Sequence, residues 1–385
     1  MNNHIDLLFS YFNEFADTCI KNNHLDAFNR KSISIDFSSK SRQGDISSNF
    51  YLVAIKKILD KQFNLKDELL SGIHNLDFIE KCEISKNGFI NINIKKKFLI
   101  DQVEHLLNEK NNYGKSNVGS EKNVNVEFVS ANPTGPVTVA HMRGAVLGDV
   151  ISSLLTNTGH QVTREYYVNN AGSQIDILGQ SLFKRYLELH GEKAELNSDE
   201  YPGEYLIEMA KLIKKKDGDK WRNHEFSQRE DYFKDFAVKY LIEFIEQDLK
   251  LLNIKFDKFS FETDIVNSNI INDLFEILDK KNLLYNGILE KPKGDDSEDW
   301  EPREQLLFKS SSILDDQDRA FKKSNGEWTY FANDAAYHLD KYNRKFDQLI
   351  NIWGADHVGY IPRMKSVLKT ISNKDDYLEI VTCQI

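Results

Sequence analysis

Cysteine is nearly missing from this chain: Cys19, Cys82 and Cys383 are the only three in 385 residues, and they lie far apart with no CxxC pair. With no histidine nearby at ligand spacing, that scarcity argues against both a disulfide framework and a zinc site, and for a reducing compartment. Long apolar runs are missing too. None approaches the ~20 residues that a membrane span requires, so no membrane partner is expected. The opening residues, MNNHIDLLFSYFNEF, have neither a basic leading segment nor a small-residue cleavage site, and read as an amphipathic helix instead of a signal peptide. Internal repeats and low-complexity tracts are not found. Basic charge is in deficit, with 50 Lys and Arg against 60 Asp and Glu and a net charge of -10. A balance of that sign argues against non-specific coating of nucleic acid and leaves any polyanion to local patches. Two such patches exist, Lys95-Lys96-Lys97 and Lys211 with Lys214-Lys215-Lys216; either alone reads first as a solvated face.

What is present is ordinary for a globular protein: 40% hydrophobic and 29% charged residues, in a chain long enough for two or three domains with real cores. Residues 1–115 read as a small α/β unit. Helical spacing recurs in Ile5, Leu8, Phe9, Phe12 and Phe15, and again in Tyr51, Val53, Ala54, Ile58 and Leu59. Strands are expected near Ser32–Phe37 and Gly88–Ile94, with Gly44-Asp45 as a turn, and the polar loop 111–122 is the expected domain boundary.

A second unit, 123–385, opens on an apolar-alternating strand (Val124, Val126, Phe128) that runs into Asn132-Pro133-Thr134-Gly135-Pro136. A helix from about Arg143 to Thr156 follows, expected to bury Val146, Leu147, Val150, Ile151, Leu154 and Leu155 and to stop at Gly159. Val162–Val168 is the next strand. This β–α–β order predicts a parallel, right-handed, Rossmann-type sheet. Residues 190–232 read as a polar insertion. Helices are expected at Tyr232–Leu252 and Ile270–Leu278, then short strands with a hairpin signal at Ser324-Asn325-Gly326. The β–α–β pattern returns as strand Thr329–Phe331, helix 333–344, strand Leu349–Trp353, helix 361–372 and strand Leu378–Val381.

Three strand-end clusters carry the chemistry. In the first, a strand, a small-residue turn and a helix N-terminus make a preformed anion site. Asn132 and Gly135 allow close approach, His141 can donate to a phosphate oxygen with Arg143 behind it, and two prolines stiffen the turn. The second is Tyr330-Phe331-Ala332-Asn333-Asp334 with Tyr337 and His338. The third, Trp353-Gly354-Ala355-Asp356-His357-Val358-Gly359-Tyr360, ends a strand in an acidic group, where doubly wound sheets bind ribose hydroxyls. A core tyrosine and a capping aspartate would explain one cluster; three in one sheet favour a site.

These segments resemble the class I aminoacyl-tRNA synthetases, and specifically the arginyl-tRNA synthetase family. The likeness is carried by VEFVSANPTGP with the following His-Met-Arg-Gly-Ala (126–145), REYYVNNAGSQ (164–174), YPGEY (201–205), Phe256, Asp257 and Glu262, DDQDR (315–319), TYFANDAAYHLDK (329–341) and INIWGADHVGYIPR (350–363). GDISSNF (44–50) and NGFINI (87–92) resemble that family's additional N-terminal domain, which touches the tRNA elbow. The resemblance implies a ligase that joins L-arginine to ATP as arginyl-adenylate and passes the arginyl group to tRNA(Arg). ATP carries Mg2+ as its counter-ion, no protein-bound metal is implied, and a cytoplasmic monomer is expected. Glu127, Asn132, Tyr330 and Asp334 occupy arginine-binding positions. His141 and Thr138 occupy the catalytic ones, and Gly135, Ala140, Gly144, Gly354, Asp356 and His357 the ATP-binding ones.

The family pattern is broken in two places. Where the family has His-x-Gly-His, this chain reads Thr138-Val139-Ala140-His141. Loss of one transition-state donor costs about 3–4 kcal/mol, about 10² to 10³ in rate, and the Ala140 methyl stands where the nucleotide packs. Asn170 and Val358 are milder changes. The family also continues into a Lys-Met-Ser-Lys-type loop and a helical anticodon-binding domain beyond the position of Ile385. The expectation is a truncated, weakly active or inactive ligase; the alternative is a non-catalytic paralogue that binds arginine or tRNA.

Overall fold

The computed structural model describes residues 4–38, 44–223, 225–289 and 303–384, and the chain forms two compact units, Met1–Lys115 and Ser116–Ile385. Ile385, the end of the final expected stretch, lies outside the described residues. The first unit runs α1 (His4–Lys21), β1 (Ile35–Phe37), β2 (Ile46–Ser48), α2 (Phe50–Ile55), α3 (Leu65–His74), β3 (Ile79–Ile84), β4 (Ile90–Ile94) and α4 (Lys96–Glu109). Its strands form an antiparallel sheet in the order β1-β2-β4-β3. Ile90, Ile92 and Ile94 alternate inward, as their spacing requires, onto Leu8, Phe12 and Ala16 of α1 and Leu69 and Ile73 of α3. Two strands were expected and four form. In β2 the alternate buried positions are Ile46 and Ser48, so its pattern does not show as hydrophobicity, and a register shift between Ile79 and Lys81 breaks the alternation of β3. The turn before β2 depends on Gly44, whose φ is +83° and whose added Cβ would lie 2.7 Å from the Ile92 carbonyl oxygen.

The second unit runs β5 (Asn123–Glu127), α5 (Val139–Asn157), β6 (Gln161–Val168), α6 (Ser173–Leu189), α7 (Glu204–Asp217), α8 (Glu230–Leu251), β7 (Lys258–Phe261), α9 (Glu262–Asn267) and α10 (Ile270–Lys280). It continues through β8 (Leu284–Gly287), β9 (Gln305–Phe308), β10 (Arg319–Lys322), α11 (Tyr330–Asn343), β11 (Gln348–Gly354), α12 (Ile361–Ser372) and β12 (Leu378–Cys383). Five parallel strands order as β12-β11-β5-β6-β7, and a small antiparallel sheet orders as β10-β9-β8. The chain winds outward from β5 through β6 to β7, then returns on the other side of β5 through β11 to β12. The doubly wound parallel sheet predicted from the β–α–β order is present. Residues of α7 within 190–232 (Leu206, Met209, Ala210, Ile213) join the core built by α6, α8 and the sheet.

Two local expectations fail. Thr329–Phe331 is not a strand. The Thr329 hydroxyl accepts from the Ala332 N–H (3.2 Å) and donates to the Ala320 carbonyl (2.9 Å), so it caps α11, which already begins at Tyr330. The α5 face is also rotated: Val146, Val150 and Leu154 are exposed, while Ala145, Gly148 and Ser152 are buried. The reason is close helix–strand approach, since a Cβ on Gly148 would fall 2.2 Å from the Phe128 ring. Only small side chains fit between α5 and β5, and bulkier ones are displaced to the flanks.

Candidate active site

The reversal of winding falls between β5 and β11, and in such sheets the crevice outside the strands' carboxyl ends is the natural binding place. A cavity of about 800 Å³ opens there. Ten of the twelve residues singled out from the sequence line it: Glu127, Asn132, Ala140, His141, Gly144, Tyr330, Asp334, Gly354, Asp356 and His357. Gly135 and Thr138 are not among the lining residues. Gly135 packs under Tyr205, whose hydroxyl donates to the Thr134 carbonyl (2.6 Å) and clamps the turn. Thr138 acts on its neighbour instead: its backbone N–H donates to His141 Nδ1 at 3.0 Å, and its hydroxyl lies 3.2 Å from the same nitrogen. A backbone N–H can only donate, so Nδ1 is the acceptor and the neutral ring carries its proton on Nε2. Burial lowers the His141 pKa and favours that neutral donor.

The turn after β5 is strained. Val129 and Ser130 take φ values of 67° and 41°, an outlier for a β-branched residue, and such conformations cost about 1–3 kcal/mol each. Hydrogen bonds offset that cost. The Ser130 hydroxyl donates to Glu127 Oε1 and accepts from the Tyr167 N–H, both at 3.1 Å, and the buried Tyr166 hydroxyl donates to the Ala131 carbonyl at 2.8 Å.

At the Asp334 wall, acidic groups gather. The Asp334 carboxylate accepts from the Tyr360 hydroxyl at 2.8 Å. Burial, followed by the like charges of Glu262 and Glu127, pushes its pKa up to about 7 against the pull of that hydroxyl. Glu262 is buried, its pKa is raised by burial, and its Oε2 has no hydrogen-bond partner among the described residues. The buried hydroxyl of Tyr167, stacked at 4.2 Å on Tyr337, likewise has none among the described residues. Two carboxylates without a cation and an unused hydroxyl beside a cavity suit a cationic ligand with several donors.

Beneath this floor lies a polar network that the sequence reading missed. Glu127 Oε2 is 2.5 Å from the ammonium of Lys341, a fully buried residue. Lys341 also reaches Asn351 Oδ1 at 3.4 Å, and the Asn351 amide donates to His338 Nε2 at 2.9 Å. His338 Nδ1 then donates to the Asp334 carbonyl oxygen at 2.7 Å, and burial with the charge of Lys341 lowers this histidine to about 4. Glu165, fully buried, accepts a fork from Arg344 (2.9 and 2.8 Å), the Ser260 hydroxyl (2.6 Å), the Tyr337 hydroxyl (3.0 Å) and the Asn125 amide (2.5 Å). Burial alone would raise its pKa, but Lys341, Arg344 and Ser260 carry it down to about 2. One signal could have exposed the network: Asp334, His338 and Lys341 recur at i, i+4 and i+7, a polar stripe on a helix face that must meet a sheet.

A parallel sheet of this winding, with a cavity at its switch point between the α5 N-terminus and Asp334, is the fold of a class I tRNA synthetase catalytic domain. The family model for tRNA synthetases class I (R), catalytic domain, matches residues 102–380. The model for the arginyl tRNA synthetase N terminal domain matches residues 14–94. The chain belongs to the arginyl-tRNA synthetase family. It is 41% identical over 353 residues to an arginine–tRNA ligase of Ruegeria sp. (strain TM1040), covering 92% of this chain and 61% of the relative. Identity to an arginine–tRNA ligase of Ehrlichia chaffeensis is 40% over 346 residues, 90% of this chain and 60% of the relative. The arginyl-tRNA synthetase structure of Plasmodium falciparum, at 17% identity, matches with a TM-score of 0.64 over 98% of this chain and 64% of that one, which speaks for the fold alone. The chain thus spans about 60% of the length of the curated relatives it matches. Among the described residues no group of three or more His, Cys, Asp or Glu is placed to hold a metal ion, and no helix is long and apolar enough to cross a membrane.

Proposed function

We propose that this chain carries the amino-acid activation site of an arginine–tRNA ligase. The observation that carries the reading is the Asp334 carboxylate, which has no cation among the described residues and lines the cavity beside the unused Tyr167 hydroxyl, with the buried Glu262 acting on it from behind, while the other end of the cavity is the N-terminus of α5 with His141. A guanidinium presents five donors in a plane and fits that carboxylate beside the Tyr167 and Tyr360 hydroxyls. Glu127 already has a cation in Lys341. It therefore suits the compact α-ammonium, with Asn132 beside it. The α-carboxylate is then directed toward the helix end. There its oxygen attacks the α-phosphorus of ATP, pyrophosphate leaves, and a terminal ribose hydroxyl of tRNA(Arg) displaces AMP from the adenylate. His141 Nε2–H and the α5 dipole stabilise charge on the phosphoryl oxygens. Gly354, Asp356 and His357 hold the adenosine, Mg2+ accompanies ATP, and the N-terminal unit contacts the tRNA. The protein acts as a cytoplasmic monomer.

Thr138 and Ala140 make the phosphate side slow. Arginine- and tRNA-dependent ATP–pyrophosphate exchange tests this: Thr138→His with Ala140→Gly is expected to raise exchange by about 10². No gain together with no detectable ATP binding would favour the second reading, a non-catalytic arginine-binding paralogue. That reading is supported by the Thr138 hydroxyl, which lies against His141 and is not among the cavity lining.

A further inference from the structure

Lys341 does not line the cavity, yet it is, like Glu165, a fully buried charge in the site's surroundings. It arrives from α11 while its partner Glu127 comes from β5, so the pair ties a helix to the central strand. The ammonium sits 4.6 Å over the Tyr337 ring and shares Asn351 with His338. From β6, Glu165 and Tyr167 face the same floor, and Glu165 has its own cation in Arg344. Lys341 is thus committed to Glu127. The other oxygen of Glu127 takes the Ser130 hydroxyl from the strained turn, so the carboxylate is held from both sides and cannot swing between rotamers.

On the functional reading above, we propose that Lys341 is a positioning residue: it clamps the Glu127 carboxylate in the place where that carboxylate meets the α-ammonium group of the amino acid. The clamp fixes the acceptor to within the reach of one rotamer, with Lys341 on one carboxylate oxygen and the Ser130 hydroxyl on the other. Asp334, with the buried Glu262 behind it, has no such cation among the described residues and responds to the guanidinium by itself. The two ends of arginine are therefore expected to respond unequally to substitution, because Lys341 pairs with Glu127 directly and reaches Asp334 only through Asn351 and His338.

Calorimetry on the full chain with L-arginine and with 5-guanidinopentanoate, which lacks the α-ammonium, tests this. Lys341→Met is expected to weaken arginine at least tenfold and the analogue less than twofold. Equal weakening of both ligands overturns the proposal and leaves Lys341 a structural residue. Should Lys341→Met fail to fold, Glu127→Gln is compared with Glu127→Gln/Lys341→Met, in which both buried charges are gone. Matching arginine affinities support the clamp; a further tenfold loss in the double variant overturns it. Absence of arginine binding by the unsubstituted chain is a different result, and strikes the functional reading itself.

Discussion

At Asp334 one proton decides how the empty site behaves. With a pKa near 7 in the empty protein, this carboxyl is largely protonated at pH 6, and a bound guanidinium requires it ionised. Arginine binding is therefore expected to release about one proton at pH 6 and to weaken up to about tenfold per pH unit below 7. Titration in two buffers of different ionisation enthalpy measures the release, and a buffer-independent heat at pH 6 rules the linkage out. The same shift has a stability sign. A carboxyl raised above its unfolded value contributes stability at low pH, and loses that contribution as pH rises through about 7. Asp334→Asn is accordingly expected to melt higher than the parent at pH 8 while losing arginine at least 10²-fold. A lower melting temperature at pH 8 contradicts the assignment of strain to this carboxyl.

At the level of elements, α5 and its preceding turn hold their end of the cavity in place by closeness. Gly148 permits α5 to lie on Phe128, and Gly148→Ala is expected to cost about 1–3 kcal/mol, read as a shift in the denaturation midpoint. If the midpoint does not move, the helix has room to retreat and the packing argument fails. This contact also explains where sequence reading stopped. The strand, the turn and the return strand were legible because β5 alternates and the turn carries its prolines. The buried face of α5 was not: three valine and leucine positions outscore a glycine and an alanine in any hydrophobic pattern, and only the third dimension shows that the sheet is too near for them. Lys341 was hidden for a related reason. A lysine near a helix end reads as solvated until a carboxylate from a strand 214 residues away is found beside it. Conversely, the clusters after β5 and β11 were legible because switch points gather strand ends by topology, whereas Tyr330 and Asp334 lie on the first turns of α11 and Glu127, Ala140 and Gly144 were carried by the family resemblance.

The whole chain behaves as two bodies with separate cores. The N-terminal one, closed by α1, α3 and its four-stranded sheet, has a core of its own with seventeen buried apolar residues among those described. Residues 1–115 expressed alone are expected to give a cooperative thermal transition and dispersed amide resonances; a molten, non-cooperative melt would show that this core is insufficient. In the larger body Glu165 has a temporal consequence. It sits in the second strand in chain order, and of its donors only Asn125 precedes it: Ser260 follows 95 positions later, Tyr337 172 and Arg344 179. An ionised carboxylate is costly to bury before those partners arrive, so the charged form of this core is expected to close only after α11 has been made. The residue that most firmly bolts the finished sheet is therefore also the timer that keeps it from closing early.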